Sequence, residues 1–152
     1  MSRQPTSQLA VSEIMTRFVE FLEPDATAKD AAVLMGELDV GALPVGTEDR
    51  LLGVVTDRDL LYRVTAEGLT ADTPVQQVMS HPVLSCSETD TVQAALDMMA
   101  AHHVRRLPVR ITNGARIAGW VTLGDLSRRL LVESRLLQDA LQDVTERDRA
   151  AV

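Results

Sequence analysis

The chain has one cysteine, four aromatic side chains and no apolar run long enough to span a bilayer. Each scarcity removes a class of protein. Cys86 alone cannot close an internal disulfide, which points to a reducing compartment, the cytoplasm by default. Phe18, Phe21, Tyr62 and Trp120 are too few for a base-stacking platform. The apolar runs fall far short of the ~20 residues a transmembrane helix needs, so no membrane partner is expected. The opening stretch MSRQPTSQ lacks the apolar centre of a signal peptide and reads as a flexible polar lead-in. Positive charge is also short: 15 basic residues against 22 acidic ones leave a formal net charge of −7. Phosphate backbones demand a dense Lys/Arg surface, so nucleic acid is not an expected partner. A chain of 152 residues has the length of one domain. It can remove roughly two-thirds of its unfolded surface from water.

What is present is one phrase written twice. Residues 53–60 read GVVTDRDL and residues 119–126 read GWVTLGDL. VSEIM at 11–15 matches VQQVM at 75–79, and ALPV at 42–45 matches RLPV at 106–109, both at an offset of 64. The later phrase sits at an offset of 66, and the two extra residues fall in the turn RITNGAR. Repeats along most of a chain define its architecture. The expected division is a flexible N-terminus over 1–8, repeats over 9–66 and 75–131, a turn-rich linker at 67–74 and a helical tail over 132–152.

Each repeat shows the same grammar. A short helical turn ends at Met15 or Met79, and an extended run follows, FVEFL at 18–22 or PVLSC at 82–86. Thr27 and Thr91 are N-cap candidates for helices with apolar positions at 28, 31, 32 and 35, and at 92, 95, 96 and 99. Two strands joined by a polar turn come next, with Asn113-Gly114 suited to a tight hairpin whose two central residues take positive φ. A helix starts at Thr56-x-x-Asp59 and at Thr122-x-x-Asp125. The fold class is therefore α/β (α+β), with β-α-β-β-α twice. In the tail, Leu130, Leu137, Leu141 and Val144 recur at helical spacing and call for a partner surface.

The Thr-x-x-Asp phrase has two readings. As a helix cap, the Thr accepts from a backbone N–H while the acid satisfies another and opposes the dipole. As a site, a strand running into a helix N-terminus presents unpaired N–H groups to an anion. The Gly three residues earlier lets a backbone or a flat ring approach, and the Asp can accept from two neighbouring hydroxyls, as on a ribose. Arg58 adds a fork of donors suited to phosphate.

Together, IM/VM, GALPV, RRLPV, GVVTDRDL and GWVTLGDL resemble a tandem pair of cystathionine-β-synthase (CBS) domains, a Bateman module of the stand-alone bacterial type. The resemblance covers about residues 9–131. It implies two repeats packed sheet to sheet with pseudo-twofold symmetry, two clefts between them, and adenosine-type ligands: AMP, ADP, ATP, S-adenosylmethionine or NAD-like molecules. It implies one cleft from Thr56, Arg58 and Asp59 with Leu84, Ser85, Arg105 and Arg106, the acid on the ribose and the arginines on phosphate. The other cleft takes Thr122 and Asp125 with Leu22, Gly41 and Ala42. Gly124, Gly41 and Ala42 stand where the first cleft has arginines, so a polyphosphate is expected in the first cleft and a less charged adenosyl ligand, or nothing, in the second. The resemblance further implies a homodimer and an effector protein that the sequence does not identify. The competing reading is a ligand-independent dimerisation or protein-interaction module.

Other constellations have plainer meanings. His102 and His103 point roughly 100° apart on a helix, so one ion cannot easily take both, and a C-cap role suits them better. Cys86 has no His placed to activate it and reads as a buried thiol. Met35, Met98 and Met99 read as core filler, and Trp120 as packing that can also line the second cleft. With no nucleophile–base pair, metal cage or paired carboxylates, neither an enzyme nor a resident metal is expected.

Overall fold

A computed structural model describes residues 4–17 and 19–133. Phe18 and the apolar tail positions Leu137, Leu141 and Val144 lie outside the described residues. In chain order the elements are α1 (Ala28–Leu38), β1 (Ala42–Gly46), β2 (Leu51–Thr56), α2 (Asp57–Asp59), β3 (Cys86–Ser87), α3 (Val92–His102), β4 (Arg106–Arg110), β5 (Ile117–Thr122) and α4 (Leu123–Glu133). Single 3-10 turns stand at Thr6–Gln8, Val11–Glu13 and Val75–Gln77, and α2 continues as a π-helical stretch, Leu60–Thr65. The fold is α+β, with four helices and two small sheets among the described residues. None of these helices is long and apolar enough to cross a membrane.

The repeated helices begin where the threonines predict. Thr27 Oγ1 accepts from Asp30 N–H at 3.1 Å, and Asp30 returns the bond to Thr27 N–H at 3.0 Å. That bonding also holds the Asp30 carboxyl below its usual range. Thr91 Oγ1 accepts from Ala94 N–H at 3.1 Å. Ala28, Ala31 and Met35 are buried on α1, and Val92, Ala95 and Met99 on α3. Ala32, expected on the apolar stripe, is exposed. Both helices end on a left-handed residue, Asp39 at φ 53° and His103 at φ 54°. His103 is thus a C-cap, with its N–H on the Met99 carbonyl.

The sheets repeat one register. In β1/β2, Ala42 pairs with Thr56 and Leu43 with Val55; in β4/β5, Arg106 pairs with Thr122 and Leu107 with Val121. The leading strands are shorter than FVEFL and PVLSC suggest. In the first repeat only Leu22 bridges β1, giving its N–H to Pro44 O at 2.9 Å and accepting from Gly46 N–H at 2.8 Å. In the second, β3 holds only Cys86 and Ser87. Further upstream, Thr16 and Ser80 pair with the other repeat, at Trp120 and Val54. The Asn113-Gly114 turn also differs from expectation: only Asn113 has positive φ, at 58°. Ile111 N–H bonds to Arg116 O at 3.0 Å, so four residues form the loop instead of two.

The helical turn that opens each repeat packs into the core of the other. Val11 and Met15 are buried with Cys86, Val92, Ala95, Leu107 and Leu126. Val75 and Val78 are buried with Leu22, Ala31, Met35, Leu43 and Val55. The hydrogen bonds repeat the exchange: Val11 N–H to Asp90 O and Val75 N–H to Ala26 O, each at 2.8 Å. Thr16 exchanges two backbone bonds with Trp120 in β5, and Ser80 exchanges two with Val54 in β2. Each fully buried valine so transferred contributes ~1.5–3 kcal/mol.

The repeated glycines admit these segments. A Cβ at Gly119 would stand 2.5 Å from Thr16 O and 2.9 Å from Met15 Sδ. A Cβ at Gly53 would stand 3.0 Å from Ser80 O and collide with the Met79 side chain. The close approach inferred at these glycines is therefore made by backbone and a methionine. Gly53→Ala and Gly119→Ala are each expected to destabilise the chain by roughly 1–3 kcal/mol, as overpacked sites do. Gly36 on α1 has open space around it, and Gly36→Ala should stabilise by about 0.5–1 kcal/mol. Urea midpoints at constant slope test the contrast, and equal effects at all three glycines would contradict it.

Candidate functional site

The two Thr-x-x-Asp phrases start alike and then diverge. Thr56 Oγ1 accepts from Asp59 N–H at 3.0 Å, and Thr122 Oγ1 accepts from Asp125 N–H at 3.1 Å. Asp59 then turns its carboxylate inward. One oxygen accepts from Thr56 N–H at 3.0 Å, and the Ser80 hydroxyl stands 3.3 and 3.4 Å from the two oxygens. Arg63 lies 3.7 Å away, and the Asp59 side chain is only 10% exposed. Arg63 also donates to the carbonyls of Val78 and Met79, at 3.1 and 3.2 Å. Asp59 is thus a structural knot tying α2 to the exchanged segment.

Asp125 is 26% exposed, and one oxygen accepts from Arg128 at 2.6 Å. Its other oxygen has no partner among the described residues. Asp125 lines a cleft of about 430 Å³ between the repeats. Small-molecule sites occupy roughly 300–1,000 Å³. From one repeat come Gly41, Ala42, Leu43 and Pro44 of β1, with Leu38, Asp39 and Val40 before them. From the other come Arg106, Trp120, Thr122 and Asp125. The crossing segment that leaves β5 at Thr16 adds Thr16, Val19 and Glu20.

The structure brings Gly41, Ala42, Thr122 and Asp125 together as expected of the second cleft. Leu22, grouped with them, is buried at 7% in the first core and stays off the cleft wall. Arg106, grouped with Asp59, lines the Asp125 cleft instead. The register explains the correction: Arg106 is directly opposite Thr122 of its own repeat, and its guanidinium reaches over Gly41. A Cβ at Gly41 would stand 3.2 Å from both guanidinium nitrogens and 3.0 Å from an Asp57 oxygen. Bare glycine opens the space that the arginine takes.

The other residues expected around Asp59 disperse. Arg58 is exposed, with its guanidinium carbon 5.3 Å from the Tyr62 ring centroid. Leu84 packs on the second core. Ser85 accepts from Arg110 Nε at 2.6 Å on a separate open surface by the β4/β5 turn. Arg105 is exposed and uses its carbonyl to accept from Leu123 N–H at 2.7 Å. Sequence reasoning missed Thr16, Glu20 and Asp39 as cleft residues. Their signal was the exchange itself, visible only once Thr16 is paired with Trp120.

Cys86 is buried at 3% exposure, and its thiol lies 3.9 Å from the Pro108 carbonyl. Burial, then the nearby Asp90 charge, pushes its pKa up to about 11. It is a core group with no nucleophilic character at neutral pH.

Comparison with known proteins agrees with this architecture. The CBS domain family matches residues 11–66 and 75–132. The CBS domain-containing protein YhcV of Bacillus subtilis is 40% identical over 118 residues, 78% of this chain and 83% of YhcV. A putative signal-transduction protein with CBS domains from Burkholderia ambifaria is similar with a TM-score of 0.76 at 25% identity, over 84% of this chain and 97% of that one. The CBS domain pair of protein MJ0100, solved in complex with 5′-methylthioadenosine and S-adenosyl-L-methionine, has a TM-score of 0.74 at 20% identity. That likeness covers 84% of this chain and 99% of that one, and speaks for the fold.

The two aspartates are expected to separate by stability. Asp59→Asn strips a buried, bonded carboxylate and should cost about 1–3 kcal/mol. Asp125→Asn loses an exposed ion pair and should cost about 0–1 kcal/mol. Urea denaturation reads the difference, and equal costs would refute it. The Cys86 thiol should resist a disulfide reagent at pH 7 in the folded chain and react on unfolding. Because its folded pKa is raised, stability from the protonated thiol is complete below the unfolded value of 9.0 and declines as pH rises toward about 11. Urea midpoints across that window, compared with those of Cys86→Ala, measure it.

Proposed function

The chain belongs to the CBS-domain family as a tandem pair, and from that premise we propose a regulatory module that binds an adenosine-containing ligand of the AMP, ADP, ATP or S-adenosylmethionine class in the Asp125 cleft. The observation that carries this is Asp125, which lines a cleft built by both repeats and has one carboxylate oxygen unpartnered among the described residues. A carboxylate oxygen accepts from vicinal hydroxyls, which a ribose supplies. Trp120, Pro44 and Val40 offer an apolar wall to a purine. Thr122 and Arg106 offer a hydroxyl and a guanidinium on the same wall to a phosphate or other polar substituent. The protein acts by binding, in the cytoplasm, and a ligand touching both repeats shifts their relative position only through unequal affinity for the two arrangements.

The engagement of Asp59 by Thr56, Ser80 and Arg63 supports one ligand per chain. The second reading, a ligand-independent dimerisation module docking an effector protein, draws on exposed apolar side chains: Val33 at 50%, Leu61 at 56% and Tyr62 at 56%. These suit a second copy in a homodimer, and the two readings are compatible.

A thermal-shift and calorimetry panel of adenosine, AMP, ADP, ATP and S-adenosylmethionine tests the proposal. A native-state ligand at a hundred times its Kd stabilises by about 2.7 kcal/mol. The expected outcome is binding at one site per chain, weakened about tenfold or more by Asp125→Ala. Asp59→Ala should lower stability and leave the number of sites unchanged. Absence of binding by every compound would leave only the interaction module.

A further inference from the structure

We propose that the Asp125 cleft discriminates by charge, taking a neutral or cationic adenosine derivative and rejecting nucleoside polyphosphates. This rests on the adenosine reading above and goes beyond it. Three carboxylates line the cleft, Glu20, Asp39 and Asp125, against one guanidinium, Arg106. Arg106 does not offset them alone, because the Asp57 carboxylate crowds the same point over Gly41. Arg128, bonded to Asp125 at 2.6 Å, is not among the cleft-lining residues and leaves Glu20 and Asp39 uncompensated. Among the described residues neither Glu20 nor Asp39 is ion-paired, and both are exposed at the cleft.

A cleft of about 430 Å³ keeps every charge on its wall within about one Debye length, ~8 Å at physiological salt, of an occupant. A ligand with several negative charges therefore meets net repulsion across the site, whereas a sulfonium or ammonium substituent meets attraction. The apolar wall and the Asp125 oxygen act on the nucleoside part alike in all cases. Charge on the substituent is then what separates one adenosine compound from another.

Three probes test this on the full chain: adenosine, S-adenosylmethionine and magnesium-free ATP, titrated at low and at physiological salt. Adenosine and S-adenosylmethionine are expected to bind at least about tenfold tighter than ATP, with the gap narrowing as salt rises. The double variant Glu20→Gln/Asp39→Asn should raise the affinity for ATP relative to adenosine about threefold or more. Both sites are exposed, and Asn is at home in the left-handed conformation of residue 39, so the variant is expected to fold. ATP binding as tightly as adenosine, or a double variant with an unmoved ATP-to-adenosine ratio, would overturn charge discrimination and leave the adenosine reading standing. Binding by none of the three would overturn both.

Discussion

The structure depends on one exchange. Each repeat sends its opening turn into the core of the other, and each exchange passes across a strand position that has no side chain. Gly53 lies under Met79 and Ser80, and Gly119 under Met15 and Thr16. The segments that follow must then travel from one repeat to the other, from Thr16 to Leu22 and from Ser80 to Cys86. The cleft lies beside the first of these crossings. Its walls include β1 and β5 because the crossing segment pairs with both, at Leu22 and at Thr16, and Glu20 enters the site because it lies on that segment.

A repeated sequence does not give a repeated chemistry. Thr56 and Thr122 cap their helices in the same way, yet the aspartates one turn later do different work. Ser80 places a hydroxyl on Asp59, and Arg63 closes over it. The position corresponding to Ser80 is Thr16, which lines the cleft instead. A few hydrogen bonds thus divide the two halves into a fastened one and an open one. A buried carboxylate needs its partners, so the fastened half has little freedom to trade them for a ligand.

The repeats, the caps at Thr27 and Thr91 and the paired strands around Leu43-Pro44 and Leu107-Pro108 were legible because each depends on local periodicity or local hydrogen bonding. The grouping of Gly41, Ala42, Thr122 and Asp125 was implied by the family resemblance, and these four do share the cleft wall. Arg106 was misplaced because its destination depends on register and on the room above Gly41, neither of which is local. The inward turn of Asp59 was hidden for the same reason, since Ser80 is 21 residues away and arrives through the exchange. Asn113-Gly114 misled because its dipeptide signal assumes a two-residue loop, and the strand register shift at Val109/Arg110 leads into a longer one.

The exchanged turns also bear on why the two repeats share a chain. A lone repeat would leave the pocket for Val11 or Val75 unfilled, and only another molecule could fill it. Folding of such a fragment would depend on its concentration, as with any bimolecular event. The covalent connection through 67–74 replaces that dependence with a local concentration, which short linkers set in the millimolar range. Tethering thus makes completion of both cores independent of how many copies the cell contains.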